Sequence, residues 1–151
     1  MPDIPYDDIH VDEFFADAGK ILVNLFRVFP RPVTLFAEDI CGADTPDEYG
    51  VHSQRFQACF AAMLWLGEEG YLRYQDTIKS DAIDQAVLTG KCFTALLAQS
   101  GTNAGAEVNA GTLQARESSL IYQLSQALNS KSSTSIARAF IPLLNSMAGQ
   151  R

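Results

Sequence analysis

The first part of the chain carries apolar residues at helical spacing. Between positions 8 and 28 they recur every three or four residues, a period that gives an α-helix one apolar face. Lys20 and Arg27 follow an acidic start, which complements the helix dipole, and Pro30 and Pro32 end the pattern. We therefore predict an amphipathic helix over residues 8–28, with these apolar positions: Phe14, Phe15, Ala18, Ile21, Leu22, Leu25 and Phe26.

Shorter segments follow this helix. Residues 33–35 suit a short extended piece, and residues 36–41 suit a brief helix that Gly42 caps. The sequence Thr-Pro-Asp-Glu that begins at Thr45 has the form of a capping box, which predicts a helix start, although Gly50 interrupts it soon afterwards.

Ser53 is a second candidate N-cap, from which a new helix can begin. From there to residue 66 the chain is apolar nearly all round, and the helix is predicted to end at Gly67 and Gly70. Most of this helix must be buried. Only its first turn is polar enough to meet solvent or a partner: His52, Ser53, Gln54, Arg55 and Gln57.

The helical period then changes to the pattern of a hairpin. Residues 71–75 and 83–88 read as two strands, joined by a turn in the polar stretch 76–81. Thr89 is placed as the N-cap of a further helix over residues 91–98.

The last third of the chain has a different composition. Residues 99–111 contain three glycines and no Lys or Arg, which predicts a flexible linker. Two apolar periodic segments follow within residues 112–148, and Pro142 is expected to kink or shorten the second. We interpret them as a helical hairpin that packs either on the preceding domain or on a second copy of the chain.

The resulting fold class is mainly α with a small β-hairpin. The elements divide the chain into a first domain over residues 1–98, the linker, and the C-terminal helical hairpin over residues 112–148.

Two motifs resemble a known superfamily. Leu66, Gly70 and Tyr71 lead into the first strand of the hairpin, and Leu88 and Thr89 open the helix after it. In this order they resemble the winged helix-turn-helix superfamily, over about residues 25–98. The resemblance implies a winged-helix-like domain followed by the C-terminal hairpin, and it raises the hypothesis of a DNA-binding transcriptional regulator.

The resemblance also indicates where nucleic acid would be contacted. The third helix would place Ser53, Gln54, Arg55 and Gln57 at base edges, while Lys79 of the wing and Arg31 would meet phosphates.

The charge distribution opposes that hypothesis. Residues 1–99 hold 16 Asp and Glu against 7 Lys and Arg, whereas residues 100–151 hold 2 against 4. Residues 1–99 therefore carry a net charge of −9 and residues 100–151 carry +2, so the candidate winged domain would repel a polyanion.

Catalytic and metal-binding patterns are sparse. His10 lies near three acids but lacks a second His or Cys at ligand spacing, so a metal there is not expected. Cys41 or Cys59 with His52 could form a nucleophile pair, yet Cys59 lies in the most apolar helix. All three cysteines, Cys92 included, are better interpreted as small buried hydrophobic residues. We predict no enzyme activity and no cofactor.

Location and partners follow from the same features. The longest apolar run, residues 58–66, is far shorter than the about 20 residues of a membrane span. The N-terminal sequence also lacks the basic start and apolar stretch of a secretory signal, so we expect a cytoplasmic protein. Our interpretation is a non-enzymatic module that acts through protein contacts, with a protein partner or with its own copies through the C-terminal helices. A DNA-binding regulator is the alternative.

Overall fold

The first helix, α1, lies at the centre of the packing. A computed structural model describes residues 9–98 and 118–149, and α1 spans Ile9–Val28 in it. Its predicted apolar face is confirmed, because Ala18, Ile21, Leu22 and Leu25 are buried in the main hydrophobic core. Helices from both parts of the chain pack against α1, so it joins them into one core.

The second helix and the third are separated by a long loop. Strand β1 covers Val33–Phe36, and α2 follows directly as Ala37–Cys41, with Gly42 at its C-cap at a φ of 99°. Helix α3 covers Gln54–Glu68. The predicted strand and both helices are therefore confirmed, and residues 42–53 connect them.

The helix start predicted at Thr45 is wrong. Residues 42–53 contain no helix; Asp47 instead holds a turn, in which its carboxylate accepts hydrogen bonds from the backbone N–H groups of Tyr49 and Val51. The start predicted at Ser53 is confirmed, because its hydroxyl accepts a hydrogen bond from the N–H of Phe56. An Asp side chain competes well for local backbone N–H groups, which explains why the turn replaced the capping box.

The sheet is small and antiparallel. Its strands after α3 are β2 (Leu72–Arg73), β3 (Asp76–Ile78) and β4 (Ala82–Leu88), and β4 pairs with β1 on one side and with β2 and β3 on the other. The hairpin turn is tighter than predicted, since residues 76–78 form a strand rather than part of the turn. We call β3, β4 and their turn the β3–β4 hairpin.

A bulge interrupts β4 at its centre. Leu35 pairs with Ile83 and Val33 with Ala86, so two residues of β4, Asp84 and Gln85, lie opposite one residue of β1. Gln85 adopts a left-handed φ of 58°. The Asp84 carboxylate accepts hydrogen bonds from the Gln85 N–H and from the hydroxyl of Thr34 across the sheet. These bonds hold the bulge in place.

The C-terminal helices pack on the first domain of the same chain. Helix α4 covers Gly90–Leu97 and is capped by Thr89, as predicted. Helices α5 (Leu120–Ser130) and α6 (Ser133–Ala148) form the expected hairpin and contact α1 and α4. Its apolar side chains enter the same core: Leu120, Leu124, Phe140, Leu143 and Met147. The predicted linker, residues 99–111, lies outside the described residues.

Two local features shape this hairpin. A Cβ at Gly19 of α1 would lie 3.2 Å from a methyl carbon of Leu124, so the missing side chain lets α5 approach closely. Pro142 lies inside α6, and the helix continues to Ala148 beyond it. Pro142 therefore does not shorten the helix as expected.

Candidate functional site

The most concentrated set of polar contacts surrounds His52, immediately before α3. Its Nδ1 lies 2.9 Å from a carboxylate oxygen of Asp44, in the loop between α2 and α3, and its Nε2 lies 2.8 Å from one of Asp81, in the turn of the β3–β4 hairpin. The same Asp44 carboxylate accepts a hydrogen bond from the backbone N–H of Ser53. The imidazole therefore ties the loop, the start of α3 and the hairpin together, and we call Asp44, His52 and Asp81 the histidine clamp.

The geometry of the clamp requires a protonated ring. A neutral imidazole has one N–H donor and one acceptor nitrogen, whereas both nitrogens of His52 face carboxylate oxygens that can only accept. Hydrogen bonding to Asp44 raises the pKa of His52, and Asp81 adds to this effect while burial opposes it. The pKa of Asp44 is lowered, first by the N–H of Ser53 and then by His52. Both shifts favour the charged forms of His52 and Asp44.

The histidine clamp borders a cavity of about 340 Å³. The His52 ring stacks on Phe56 of α3, with centroids 3.9 Å apart and planes 19° apart. Phe36 and Pro46 contribute further apolar surface, and Glu38 adds a third carboxylate. The cavity thus combines aromatic faces with an excess of negative charge.

The clamp is poorly arranged for catalysis. A general base needs a free nitrogen, and both nitrogens of His52 are hydrogen-bonded. The adjacent hydroxyl, that of Ser53, accepts the N–H of Phe56 as a helix cap. What this arrangement can do is hold three segments together in a protonation-dependent way.

A second charged contact fixes α3 to α1. Arg55 donates two hydrogen bonds of 2.7 Å to the two carboxylate oxygens of Asp17, whose side chain is only 1 % exposed. Glu13 lies 3.7 Å from the same guanidinium. Hydrogen bonding to Asp17 raises the pKa of Arg55, so the guanidinium stays charged at any ordinary pH. This bidentate contact occupies the side chain that was expected to read a base edge.

The other residues predicted to contact nucleic acid differ in their surroundings. Ser53 caps α3, and the Gln57 side chain donates to the carbonyl of His52. Gln54 is exposed and makes no side-chain hydrogen bond to any described residue. Arg31 and Lys79 are also exposed, the first in the turn after α1 and the second in the turn of the β3–β4 hairpin. Ser53, Arg55 and Gln57 therefore have partners within the chain, whereas Gln54, Arg31 and Lys79 point to solvent.

The acids of the hairpin have local structural roles. Asp81 belongs to the histidine clamp and Asp84 holds the bulge. The Asp76 carboxylate accepts the neighbouring N–H of Thr77. Their identity as acids was clear from the sequence, but their partners were not, because those partners lie up to 50 residues away.

The cysteines behave as the sequence suggested in two of three cases. Cys59 and Cys92 are fully buried, and burial raises the pKa of both thiols, that of Cys92 to about 12. Cys41 is half-buried and donates to the carbonyl of Ala37. Thiols that resist ionisation are weak nucleophiles.

The described residues include neither a metal-binding cluster nor a membrane-spanning helix. They contain no group of three or more His, Cys, Asp or Glu side chains placed to hold a metal ion. None of the helices described combines the length and the apolar character that a membrane span requires.

Comparisons with protein-family models, with curated proteins and with solved structures give no match for this chain.

Proposed function

We propose that the chain is a non-enzymatic module with a winged-helix-type domain, and that it acts through contacts with another protein. The element order supports the fold assignment: helix, strand, two helices, then an antiparallel hairpin whose last strand pairs back with the first strand. In such a domain the start of α3 and the hairpin are the parts that would face a ligand.

The observation that carries the proposal is the engagement of Arg55 by Asp17. A guanidinium held by two short hydrogen bonds to a buried carboxylate cannot leave for a guanine edge without exposing an unpaired buried charge. The cavity at the histidine clamp adds the carboxylates of Glu38, Asp44 and Asp81. A phosphate backbone approaching this surface would meet negative charge.

The loop before α3 also argues against DNA binding. A DNA-reading helix-turn-helix joins its two helices by three or four residues, which lets the second helix enter the groove. Here residues 42–53 separate α2 from α3, and the loop lies over the start of α3 through the histidine clamp. The connection before α3 is therefore at least three times as long as that of the motif and is tied to the start of the helix by Asp44.

The C-terminal hairpin favours a foreign partner over a second copy. Its apolar side chains, such as Leu124 and Phe140, are buried in the core of its own chain. They are then not free to form a dimer interface. Self-association through these helices stays a prediction, and the proposal does not rest on it.

The test is a titration of the full chain with labelled duplex DNA of random sequence, at about 50 and about 200 mM salt. We expect no binding at micromolar protein concentration. Micromolar binding that falls steeply with salt, and that the substitutions Gln54→Ala and Lys79→Ala weaken, would overturn the proposal in favour of a DNA-binding regulator.

A further inference from the structure

We propose that the surface around the cavity at the histidine clamp binds a basic, partly apolar segment of the partner protein. This inference rests on the proposed protein-contact function and adds to it the place of the contact and the chemistry of the partner. We call this surface the docking face and define it by the exposed apolar residues Phe36, Pro46, Tyr49, Val51 and Ile78, together with the carboxylates of Glu38 and Asp81.

The apolar part of the docking face has two sources. Phe36 of β1 and Ile78 of β3 both pair with Ala82 of β4, so the three side chains lie on the same face of the sheet. Phe36 remains 40 % exposed and Ile78 39 % exposed, while Ala82 is buried between them. On the loop side Tyr49 is 81 % exposed. Large apolar side chains that stay in water at adjoining positions are typical of an interaction surface.

The loop positions of the docking face are held rather than free. Pro46 and His52 line the cavity on either side of the turn at Asp47, and the histidine clamp fixes the end of that turn to the β3–β4 hairpin. The carbonyl of Val51 also accepts a hydrogen bond from the N–H of Asp47. A partner would therefore meet a largely pre-formed surface, which lowers the entropic cost of binding.

The charge of the docking face selects the partner. One positive ring, His52, is shared by Asp44 and Asp81, so Glu38 is left without an ion pair to any described residue. The Asp81 side chain is also 42 % exposed. A Lys or Arg side chain entering the cavity would reach both carboxylates and lie against the ring of Phe36, where a cation is attracted to the aromatic face.

Other occupants are less well matched. A second copy of the chain would bring a net charge of −7 against the same acidic face. The chain's own remaining segments are also unsuitable by composition or length: residues 1–8 hold three acids and no Lys or Arg, residues 99–117 hold two acids and one Arg, and residues 150–151 are only two residues long. A basic segment of another protein is the occupant that complements the face.

The test begins with selection of random dodecapeptides, displayed on phage, against the full chain. We expect the selected peptides to be rich in Lys or Arg and to contain an aromatic or aliphatic residue. The strongest of them, made synthetically with a fluorescent label, is then titrated with the protein and its variants.

Two substitutions probe the docking face in different ways. Tyr49→Ser removes an apolar anchor whose side chain is mostly in water, so the fold should be unaffected, and Glu38→Lys reverses the charge at the cavity. Each should weaken peptide binding about tenfold. Glu68→Lys is the matched control, because it makes the same charge change at an exposed position on the far end of α3 and should leave the affinity unchanged. Thermal melts confirm that each variant is folded.

The outcomes separate this inference from the proposed function. Selected peptides that are neutral or acidic, or that bind Tyr49→Ser and Glu38→Lys as well as the original chain, would overturn the docking face but leave a protein-contact function standing. Failure to select any peptide also overturns the docking face. Salt-sensitive DNA binding in the previous experiment would overturn the proposed function itself.

Discussion

Two regions of this molecule use apolar and charged side chains in opposite ways. Where α1 meets α5 and α6, the apolar residues are buried, and the nearby ion pair of Arg55 with Asp17 is bidentate, with a buried carboxylate. At the docking face the apolar residues are in water, and the charged contacts are the partly exposed, titratable bonds of the histidine clamp.

Under the proposed function, the first region serves stability and the docking face serves recognition. The large buried side chains of the first region, such as Leu124 and Phe140, complete the core of the chain. At the docking face, polar contacts hold the loop in place, and large apolar side chains such as Phe36 and Tyr49 stay exposed to water. Substitutions should therefore cost most stability in the first region and least at the docking face.

The largest effect is expected from Phe140→Ala. The Phe140 ring is fully buried and lies 5.5 Å, centroid to centroid, from Phe15 of α1. Its removal leaves a cavity in the shared core and should lower the free energy of unfolding by about 3–5 kcal/mol in chemical denaturation. The neighbouring Ile141→Ala, at an exposed position, should cost less than about 1 kcal/mol. Equal losses for both variants would show that α6 is not part of the core.

A smaller loss is expected from Arg55→Met. The Asp17 carboxylate would remain buried without its partner, but the Arg55 side chain is 36 % exposed and the pair is partly screened by water. We expect a loss of about 2 kcal/mol, below the range for fully buried pairs.

The double variant Arg55→Met with Asp17→Leu gives a control for that loss. It removes the stranded charge and should recover most of the stability in the same denaturation experiment. If the double variant is as unstable as the single one, the loss came from packing rather than from an unpaired carboxylate.

The smallest effect, and the one that depends on pH, is expected from His52→Gln. The folded-state pKa of His52 is raised, so the clamp contributes stability that is fully present below the ordinary histidine pKa and is lost as pH rises through the raised value. Asp44 and Asp81 face the ring, and Glu38 lines the same cavity. The thermal midpoint of the original chain should fall as the pH rises above about 6.5, the ordinary histidine pKa, and the variant should lose this part of the decrease.

The second histidine of the chain provides the matched control. His10 is exposed on α1, so His10→Gln should keep the pH dependence of the original chain. An unchanged pH profile in His52→Gln would show that the clamp does not couple protonation to stability.

Much of the fold could be predicted from the sequence because its signals are local. The period of apolar residues located α1, and the hydroxyls of Ser53 and Thr89 marked the starts of α3 and α4. Thr45 shows the limit of such signals: a capping box was present, but the Asp47 carboxylate captured the nearby N–H groups for a turn instead. Two competing local motifs of similar strength cannot be ranked without the surrounding structure.

The histidine clamp and the Arg55 contact could not be predicted in this way. Asp81 is 29 residues from His52, and Asp17 is 38 residues from Arg55. The polar first turn of the otherwise apolar helix α3 indicated a contact with solvent or with a partner. DNA was one of the partners predicted for it. One signal in the sequence was compatible with internal ion pairs for Arg55 and His52: acids outnumber basic residues in residues 1–99, so each basic side chain has many possible carboxylate partners.

The bulge in β4 has a further consequence for solubility. A flat sheet with exposed apolar side chains and free edges can pair with the sheet of another molecule and polymerise. Phe36 and Ile78 are such exposed side chains. Here the bulge at Asp84 and Gln85 increases the local twist, and the edge strands β1 and β3 have only four and three residues. Short, twisted edges surrounded by carboxylates are poor templates for another chain. These features oppose the sheet-to-sheet pairing that the exposed side chains of Phe36 and Ile78 would otherwise favour.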